Sequence, residues 1–329
     1  MHDYPLVATG VASPMSCALI QPKGLRQIFE RHRDRPWLFV RPGGNWGDYL
    51  IYAGAEKMAD ALGLDWSTCE SPAFAQRATT AEHCIYLHGS GGYNSWGSGR
   101  PFLDLEQAAT RAVHLVVQGP QSAEAAPDKL KSRFEHALAA VRCRELVFFA
   151  RETTTLQVLQ ALDLAQYGVT LGLDHDTALA LDAADLCAIA GLQEMPRGNY
   201  DLIVFREDNE RLLPAPNATH PAGVVIDPAL AAKSFAHWMR IHLNSRAIVT
   251  NRLHSAIVCT LAGKPVTIAP GAYHKNRSVW EYSLSARGAT WADAMRPQQS
   301  VCWGWLPRFI RNSYKVGQMR LMLQRVPLR

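Results

Sequence analysis

Residues 246–269 read RAIVTNRLHSAIVCTLAGKPVTIA, and this stretch decides the fold class. The β-branched run at 246–250 predicts a buried strand, and the apolar residues that follow predict a helix to about residue 262. The residues at 266–269 predict a second strand. A strand, a helix and another strand in so short a stretch are typical of a βαβ unit within a parallel sheet.

The same alternation of apolar runs and polar or glycine-rich loops extends over the rest of the chain. We predict further strands at 37–40, 84–87, 113–117, 146–150, 169–171 and 201–205. We predict helices at about 49–63, 127–141, 153–162, 228–243 and 305–329.

A break in this pattern divides the chain. The stretch 191–200 (GLQEMPRGNY) contains glycine, proline and polar residues without an apolar period, so we place a domain junction there. The predicted architecture is α/β, with two Rossmann-like domains, 1–192 and 193–329, facing each other across a central cleft. Ligands of such sheets bind at the carboxyl ends of the strands, where the polar loops lie.

Length, net charge and cysteine spacing exclude several classes of protein. A length of 329 residues suits two domains, and a net charge of +5 suits anionic small substrates or an anionic membrane surface but is too weak to indicate nucleic acid. The seven cysteines contain no CxxC pair, which argues against a disulfide framework or a zinc site. Neither a signal peptide nor a run of about 18 apolar residues is present, so we expect a cytoplasmic protein.

Two glycine-rich loops follow predicted strands. GGNWGD at 43–48 joins a strand to a helix, and Gly44 and Asn45 lie where backbone N–H groups can approach an anion. We predict Asp48 as the N-cap of that helix; a tight turn capped by Asn45 and Asp48 is the alternative to a binding loop. The loop HGSGGYN at 88–94 contains Gly91 and Gly92 and is either moulded around a ligand or simply flexible.

Basic residues follow several strands. Arg151 comes directly after an apolar strand, where its planar guanidinium could bind a carboxylate or phosphate, or form a surface salt bridge. Arg252 and His254 open the helix after strand 246–250 and place a cation beside a group suited to proton transfer. Lys275 follows the next strand, either facing the same site or in a solvated loop. Asp174 and Asp176 flank one histidine, but this is weak support for a metal; we predict that they act as caps or at a hinge, and we predict no metal.

Taken together, these loops resemble a known family. GNWGDYLI (44–51), GSGG (89–92), QGPQS (118–122), ARET (150–153), LDHDTALAL (173–181), NRLHSAIVCTLAGKPV (251–266) and the pair Tyr273 and Lys275 resemble the polysaccharide pyruvyltransferases. Two positions depart from the family pattern: Ser90 interrupts its three glycines, and His175 replaces a common proline.

The resemblance implies a fold like that of GT-B glycosyltransferases and a reaction without a cofactor. It implies phosphoenolpyruvate as donor and a sugar of a bacterial surface glycan, polymeric or lipid-linked, as acceptor. It implies catalytic roles for His254 and Arg252 and substrate binding by Arg151, Lys275, Gly44, Asn45, Asp48, Gly91 and Gly92.

Two other classes of function remain open. A GT-B glycosyltransferase would use the same basic groups to hold the diphosphate of a nucleotide sugar. A scaffold for glycan assembly would keep the fold without chemistry, although it would not need Arg151, Arg252 and His254 together.

The predicted C-terminal helix is basic and aromatic. Residues 298–329 contain six arginines or lysines and no acidic residue. Such a helix could lie on the anionic inner face of a membrane, or pack across the two domains as GT-B terminal helices do. We favour the second arrangement.

Overall fold

The computed structural model of the chain describes residues 23–208, 210 and 223–292. The eleven strands of this part form two sheets in which every pair of neighbours is parallel. In chain order the strands are β1 Pro36–Arg41, β2 Asp65–Glu70, β3 Cys84–Leu87, β4 Leu115–Gln121, β5 Glu145–Ala150, β6 Val169–Leu173, β7 Tyr200–Val204, β8 Gly223–Val225, β9 Ser245–Thr250, β10 Val266–Ile268 and β11 Thr290–Trp291. The predicted α/β class with two Rossmann-like parallel sheets is therefore confirmed.

The first sheet has the order β2-β1-β3-β4-β5-β6, and the second has the order β11-β10-β9-β7-β8. Central strands such as β3 and β4 are buried along their whole length, since helices cover both faces of a parallel sheet. The predicted junction after residue 192 lies between the last strand of the first sheet and the first strand of the second. Helix Ala183–Ala190, just before the junction, packs into the core of the second sheet.

The helices alternate with the strands. They are α1 Lys23–Arg31, α2 Trp46–Leu62, α3 Ser71–Phe74, α4 Arg100–Ala109, α5 Pro127–Ala137, α6 Thr153–Ala161, α7 Ala183–Ala190, α8 Pro228–Ala231, α9 Phe235–Leu243, α10 Leu253–Leu261 and α11 Lys275–Val279. Short 3-10 turns lie at Leu164–Tyr167, Thr177–Ala180 and Ser285–Arg287, and a π-helical turn at Trp280–Leu284.

The start of α2 corrects one prediction. The N-cap is Asn45, whose side chain accepts a hydrogen bond from Gly47 N at 2.9 Å. Asp48 is the third helical residue and accepts a hydrogen bond from Asn45 N at 2.9 Å, which completes a capping box. The prediction of Asp48 as N-cap was wrong. Asn45 and Asp48 both have side chains that can cap a helix, and Asn45 is the one that occupies the N-cap position. The predicted helix end at Gly63 is confirmed, since Gly63 adopts the left-handed conformation with φ of 65°.

The predicted helix 228–243 is two helices, α8 and α9. Ser234 starts α9, because its side chain accepts a hydrogen bond from His237 N at 3.1 Å. The serine hydroxyl accepts this N–H in place of a helical carbonyl, so a new helix begins here and the predicted single helix is divided.

Helix α2 connects the two sheets. A Cβ atom on Gly54 would lie 1.9 Å from Thr177 O, so the helix packs directly on the backbone of the turn Thr177–Ala180. Thr177 Oγ1 donates a hydrogen bond to Ile51 O at 2.9 Å in the same contact. At the other end, Trp46 Nε1 donates a hydrogen bond to Ala232 O, between α8 and α9. Helix α2 thus holds segments from both sides of the predicted junction.

Within the described residues, no helix is both long and apolar enough to cross a membrane. The predicted basic helix at 305–329 lies outside the residues that the structure describes.

Candidate active site

A cavity of about 570 Å³ opens at the carboxyl ends of strands from both sheets. The loops after β1, β3, β5, β7, β9 and β10 contribute to its wall. All nine residues to which the family resemblance assigns catalysis or substrate binding line it: Gly44, Asn45, Asp48, Gly91, Gly92, Arg151, Arg252, His254 and Lys275. The structure therefore brings the predicted site residues together, and their roles stay predictions.

His254 sits in the first turn of α10 against the start of α2. A Cβ atom on Gly47 would lie 2.8 Å from His254 Cβ and 2.9 Å from its Nδ1, so a larger residue at 47 would displace the imidazole. The other ring nitrogen, Nε2, is buried and lies 3.5 Å from Asp176 Oδ2. Nε2 has no properly aligned hydrogen-bond partner in the described part of the chain. The imidazole is thus held in place, with Nε2 toward Asp176.

Asp176 links His254 to Arg151. Its Oδ2 accepts a hydrogen bond from Arg151 Nη1 at 2.8 Å, and neither side chain is exposed by more than 1%. Burial alone would raise the pKa of the Asp176 carboxyl, but its contact with His254 and the charge of Arg151 lower this pKa below the usual range. The ionised carboxylate of Asp176 therefore contacts both the guanidinium of Arg151, which follows a strand of the first sheet, and the imidazole of His254, which follows a strand of the second.

Arg151 is fixed on two of its three nitrogens. Nε donates to Ser122 Oγ at 2.7 Å, and Nη1 donates to Asp176. Ser122 follows β4 and Arg151 follows β5, the neighbouring strand, so the parallel pairing brings them together. The remaining nitrogen, Nη2, points toward Gly91, where a Cβ atom would lie 3.3 Å away.

Arg252 is also held by acids. Its Nε and Nη2 bind the two carboxylate oxygens of Asp227, each at 2.5 Å, and Nη2 also reaches Asp208 Oδ2 at 2.9 Å. This bidentate pairing fixes the guanidinium plane. Among the described residues only its Nη1 has no hydrogen-bond partner, and Arg252 lines the cavity with this edge of the guanidinium left to bind a ligand.

The loop after β7 adds two acids and another base. Arg206 binds Asp208 at 2.9 Å through Nε and Glu210 at 2.8 Å through Nη1. Glu210 also accepts from Lys275 Nζ at 3.2 Å. Burial would raise the pKa of both carboxyls. The charges of Lys275 and Arg206 lower the pKa of Glu210, and contacts with Arg206 and Arg252 lower the pKa of Asp208 to about 2. The basic groups of the cavity are thus matched by ionised carboxylates.

Sequence reasoning missed these carboxylates as site residues. Asp176 was considered as a weak metal ligand and, in preference, as a cap or hinge residue, and it does accept a hydrogen bond from Ala178 N at the start of the turn Thr177–Ala180. Asp208, Glu210 and Asp227 were not considered. One signal was available: Asp176 lies in LDHDTALAL, a segment that carries the family resemblance. Its neighbour Asp174 has a different role, since its carboxylate accepts from Lys23 N at 3.0 Å and Leu25 N at 2.7 Å and so caps α1.

Within the described residues, no group of three or more histidine, cysteine or acidic side chains is placed to hold a metal ion.

Comparisons with known proteins agree with the fold and the loops. The chain resembles the crystal structure of a functionally uncharacterised protein from Klebsiella pneumoniae subsp. pneumoniae NTUH-K2044, with a TM-score of 0.58 and 19% identity over 82% of this chain and 98% of the other. At that identity the likeness concerns the fold alone. No curated protein matches the chain. The family model described as polysaccharide pyruvyl transferase matches residues 40–268, which is well over half of the chain and runs from the end of β1 through β10. The chain therefore belongs to the polysaccharide pyruvyl transferase family and is a transferase.

Proposed function

We propose that this transferase takes pyruvate from phosphoenolpyruvate and forms a pyruvate ketal on a sugar of a bacterial exopolysaccharide or cell-surface glycan. One observation carries the proposal. The buried Asp176 carboxylate holds the imidazole of His254 and the guanidinium of Arg151 at one wall of the cavity. This combines a proton-transfer group with a fixed cation for an anionic donor.

The fixed basic groups at the cavity suit an anionic donor. Five basic residues line it, namely Arg100, Arg151, Arg206, Arg252 and Lys275, together with Asp48, Asp208 and Glu210, while Asp176 and Asp227 bind Arg151 and Arg252 from outside the lining. Phosphoenolpyruvate carries a carboxylate and a phosphate, which guanidinium and ammonium groups bind with charge-assisted hydrogen bonds. We assign Arg151 and Arg252 to these two groups of the donor, with Lys275 assisting.

His254 is the proposed acid and base. Its Nδ1, the ring nitrogen turned away from Asp176, gives a proton to the methylene carbon C3 of the donor, and C2 becomes electrophilic. A sugar hydroxyl attacks C2, and its proton returns to His254. The bond between C2 and the phosphate oxygen then breaks, and inorganic phosphate leaves with the bonding electrons. A second hydroxyl closes the ketal at C2, and its proton accounts for the one carried by the released phosphate.

An exposed aromatic ring lies in the wall of the cavity. Trp96 lines it with 47% of its surface exposed, although a large apolar ring normally avoids water. Trp96 packs edge-on against Tyr273, with ring centroids 5.4 Å apart, and this contact holds the Trp96 ring in place. A flat apolar surface beside polar loops suits a neutral sugar, and we place the acceptor between Trp96 and the loops at 43–48 and 89–92.

The cellular setting is also a proposal. We place the reaction in the cytoplasm. If the acceptor is lipid-linked, the enzyme would act in peripheral contact with the inner face of the membrane, whereas a polymeric acceptor requires no such contact.

The test is phosphate release from phosphoenolpyruvate by the purified protein, with extracted lipid-linked glycan as acceptor. We expect acceptor-dependent release by the wild type and a loss of about 10²-fold or more in His254→Ala. His136→Ala removes an exposed imidazole outside the cavity and should leave the rate unchanged. Full activity of His254→Ala would contradict the assignment.

No release by the wild type over several acceptors would favour a nucleotide-sugar donor instead. A thermal-shift screen separates the two, because a ligand that binds only the folded protein raises the melting temperature. Stabilisation by phosphoenolpyruvate supports the proposed donor, and stabilisation by nucleotide sugars alone contradicts it.

A further inference from the structure

A second cavity lies beside the active-site cavity, between the helices α4 and α5. Its volume is about 320 Å³, and we call it the α4–α5 groove. One face of each helix lines it: Gly99, Phe102, Leu103 and Glu106 from α4 and its N-cap, and Ser132, Arg133, His136 and Ala137 from α5. The groove begins at Gly99, and both chain neighbours of Gly99, Ser98 and Arg100, line the active-site cavity. The two cavities are therefore adjacent.

The middle of the groove is apolar. Phe102 and Ala137 form its floor as buried residues, and Leu103 beside them is 40% exposed. A large apolar side chain left exposed in a concave surface is typical of a binding site. Because a helix rises by 1.5 Å per residue, the lining of α4 extends over roughly 10 Å. At its far end His136 Nε2 lies 3.7 Å from Glu106 Oε2, so polar groups limit the apolar part to a short length.

At the near end of the groove, the guanidinium of Arg100 is unpaired. It makes no hydrogen bond or ion pair with any described residue, although Arg100 lines the active-site cavity. Asp104, one turn further along α4, accepts a hydrogen bond from Ser71 Oγ at 2.6 Å instead. The other arginines and lysines of the lining each bind a carboxylate. Within the described residues, Arg100 is thus the lining cation whose charge is left for a ligand.

A second arginine lies at the same end, on α5. Arg133 Nη1 donates to Asn94 O at 3.1 Å, and its guanidinium carbon lies 5.4 Å from the centroid of the Phe102 ring. A Cβ atom built on Gly99 would lie 3.8 Å from the same Nη1, so the guanidinium borders the start of the groove. Both contacts are with neutral groups, so they leave the positive charge of Arg133 uncompensated. Two such charges at the end of an apolar groove suit a hydrocarbon that carries an anion.

We propose that the α4–α5 groove binds the lipid part of a lipid-linked acceptor. Its hydrocarbon lies along Phe102 and Leu103, and the diphosphate that joins it to the sugar lies between Arg100 and Arg133. This inference rests on the proposed function, which places the sugar beside Trp96 in the active-site cavity. The order of sugar, diphosphate and hydrocarbon in such an acceptor matches the order of Trp96, Arg100 and Leu103 in the protein. A neutral polymer would leave both arginines and the groove unused.

The C-terminal part of the chain is a poorer occupant. Residues 298–329 contain apolar and aromatic side chains, but they also contain six arginines or lysines and no acidic residue. Two uncompensated arginines at the end of the groove would repel that segment and attract an anionic lipid.

Two substitutions test the anion and the hydrocarbon separately. Arg100→Gln removes the unpaired charge, and its control is Arg142→Gln, since Arg142 is exposed and lines neither cavity. Leu103→Gln removes the exposed apolar side chain but keeps a good helix former. Its control is Leu230→Gln, since Leu230 is 64% exposed on α8, outside both cavities.

Calorimetry with the full chain compares geranyl diphosphate, a soluble lipid diphosphate, with inorganic diphosphate and with geraniol. We expect the wild type to bind geranyl diphosphate on the order of tenfold more tightly than inorganic diphosphate, because the groove buries the hydrocarbon. Leu103→Gln should reduce this ratio about threefold and leave inorganic diphosphate binding unchanged. Arg100→Gln should weaken the binding of both diphosphates about tenfold, because a hydrogen bond between charged groups is lost. Both controls should behave as the wild type.

Four results would overturn the proposal. A wild-type ratio in Leu103→Gln would exclude the hydrocarbon from the groove, and wild-type binding of both diphosphates in Arg100→Gln would exclude the anion from its entrance. Competition by saturating phosphoenolpyruvate would place the diphosphate at the donor cations. Geraniol binding as tight as that of geranyl diphosphate would assign the groove to an uncharged apolar group.

The binding experiment needs no turnover, so its outcome is separate from that of the proposed reaction. If binding depends on Arg100 and Leu103 but no lipid-linked glycan yields phosphate release, the groove stands and the proposed reaction fails. If phosphate release occurs but binding depends on neither residue, the reaction stands and the groove assignment fails.

Discussion

The carboxylate of Asp176 lies 2.8 Å from Nη1 of Arg151, and both side chains are almost completely buried. Such a pair is costly to break from one side, because the remaining charge stays buried without a partner. The same carboxylate faces His254, so its loss would disturb the cation and the imidazole at once.

Asp176→Asn should therefore reduce both stability and turnover. We expect the free energy of unfolding to fall by about 3 kcal/mol, as for one-sided loss of a buried ion pair. We expect kcat to fall by about 10²-fold, since the amide no longer holds the imidazole electrostatically in a proton-transfer step. Urea unfolding and steady-state phosphate release measure the two effects.

Asp174→Asn is the control for that experiment. This carboxylate is also buried but caps α1 through the backbone N–H groups of Lys23 and Leu25. Its substitution should lower stability and leave kcat of the folded enzyme unchanged. A positioning role for Asp176 would be refuted by equal kcat in the two variants.

Glu210 is expected to weaken donor binding. Its ionised carboxylate binds Lys275 Nζ at 3.2 Å and Arg206 Nη1 at 2.8 Å, so it neutralises two cations that line the cavity. An anionic donor must share those cations with it. Glu210→Gln keeps the size and removes the charge, so the dissociation constant of phosphoenolpyruvate should fall about fivefold, equivalent to about 1 kcal/mol. Glu207→Gln, at an exposed neighbouring position, should have no effect. Weaker binding in Glu210→Gln would show instead that Glu210 mainly keeps the cations in place.

The loops of the site were predictable because of a simple property of parallel sheets. Arg151, His254 and Lys275 each follow an apolar strand, and the carboxyl ends of such strands meet at one edge. The carboxylates were not predictable in the same way. Whether Asp176 meets His254 depends on how two sheets are placed relative to each other, and strand patterns in the sequence say nothing about that.

Three of the four edge strands, β2, β8 and β11, were missed for a related reason. β2, at the edge of the first sheet, reads DWSTCE and is mostly exposed, so it lacks the apolar run by which β1 and β3 were recognised. β8 and β11 have three and two residues, too short for a periodic signal. Pairing with a neighbouring strand, rather than local propensity, determines these segments.

The stability of the protein should decrease as the pH falls from about 6.5 to about 4. Burial lowers the pKa of His242 to about 4 from an ordinary value of 6.5, and that of His175 also to about 4. The unfolded chain takes up these protons first, so the stabilisation is complete above pH 6.5 and is lost as the pH falls toward 4. Each group contributes a slope of at most about 1.4 kcal/mol per pH unit.

Urea unfolding at pH 7, 6 and 5 measures this slope. Burial also lowers the pKa of other histidines, His88 among them, so His242→Gln should reduce the slope by at most about 1.4 kcal/mol per pH unit. The substitution also loses the hydrogen bond to Ser255 Oγ at 2.8 Å and so lowers stability at pH 7. His136→Gln, at an exposed position, should keep the wild-type slope. An unchanged slope in His242→Gln would contradict the assignment.

Gly54 determines how closely α2 approaches the turn that carries Asp176. Alanine is normally the better helix former by about 1 kcal/mol, so Gly54→Ala should stabilise an isolated helix. In the protein, however, the new methyl group would lie 1.9 Å from Thr177 O, and a backbone atom cannot move aside as the end of a side chain can. We therefore expect Gly54→Ala to lower the free energy of unfolding by about 1–3 kcal/mol, the usual cost of overpacking.

Gly54→Ala should also lower kcat, because α2 packs with Gly47 against His254 and with Gly54 on the turn that follows Asp176. A shift of α2 away from this turn would change the distance between His254 and Asp176. We therefore expect kcat to fall together with the free energy of unfolding. Ala61→Gly, at an exposed position of the same helix, isolates the contribution of helix propensity and should cost at most about 1 kcal/mol with kcat unchanged. If Gly54→Ala proved more stable than the wild type and fully active, the close contact of α2 with Thr177 would not position the site.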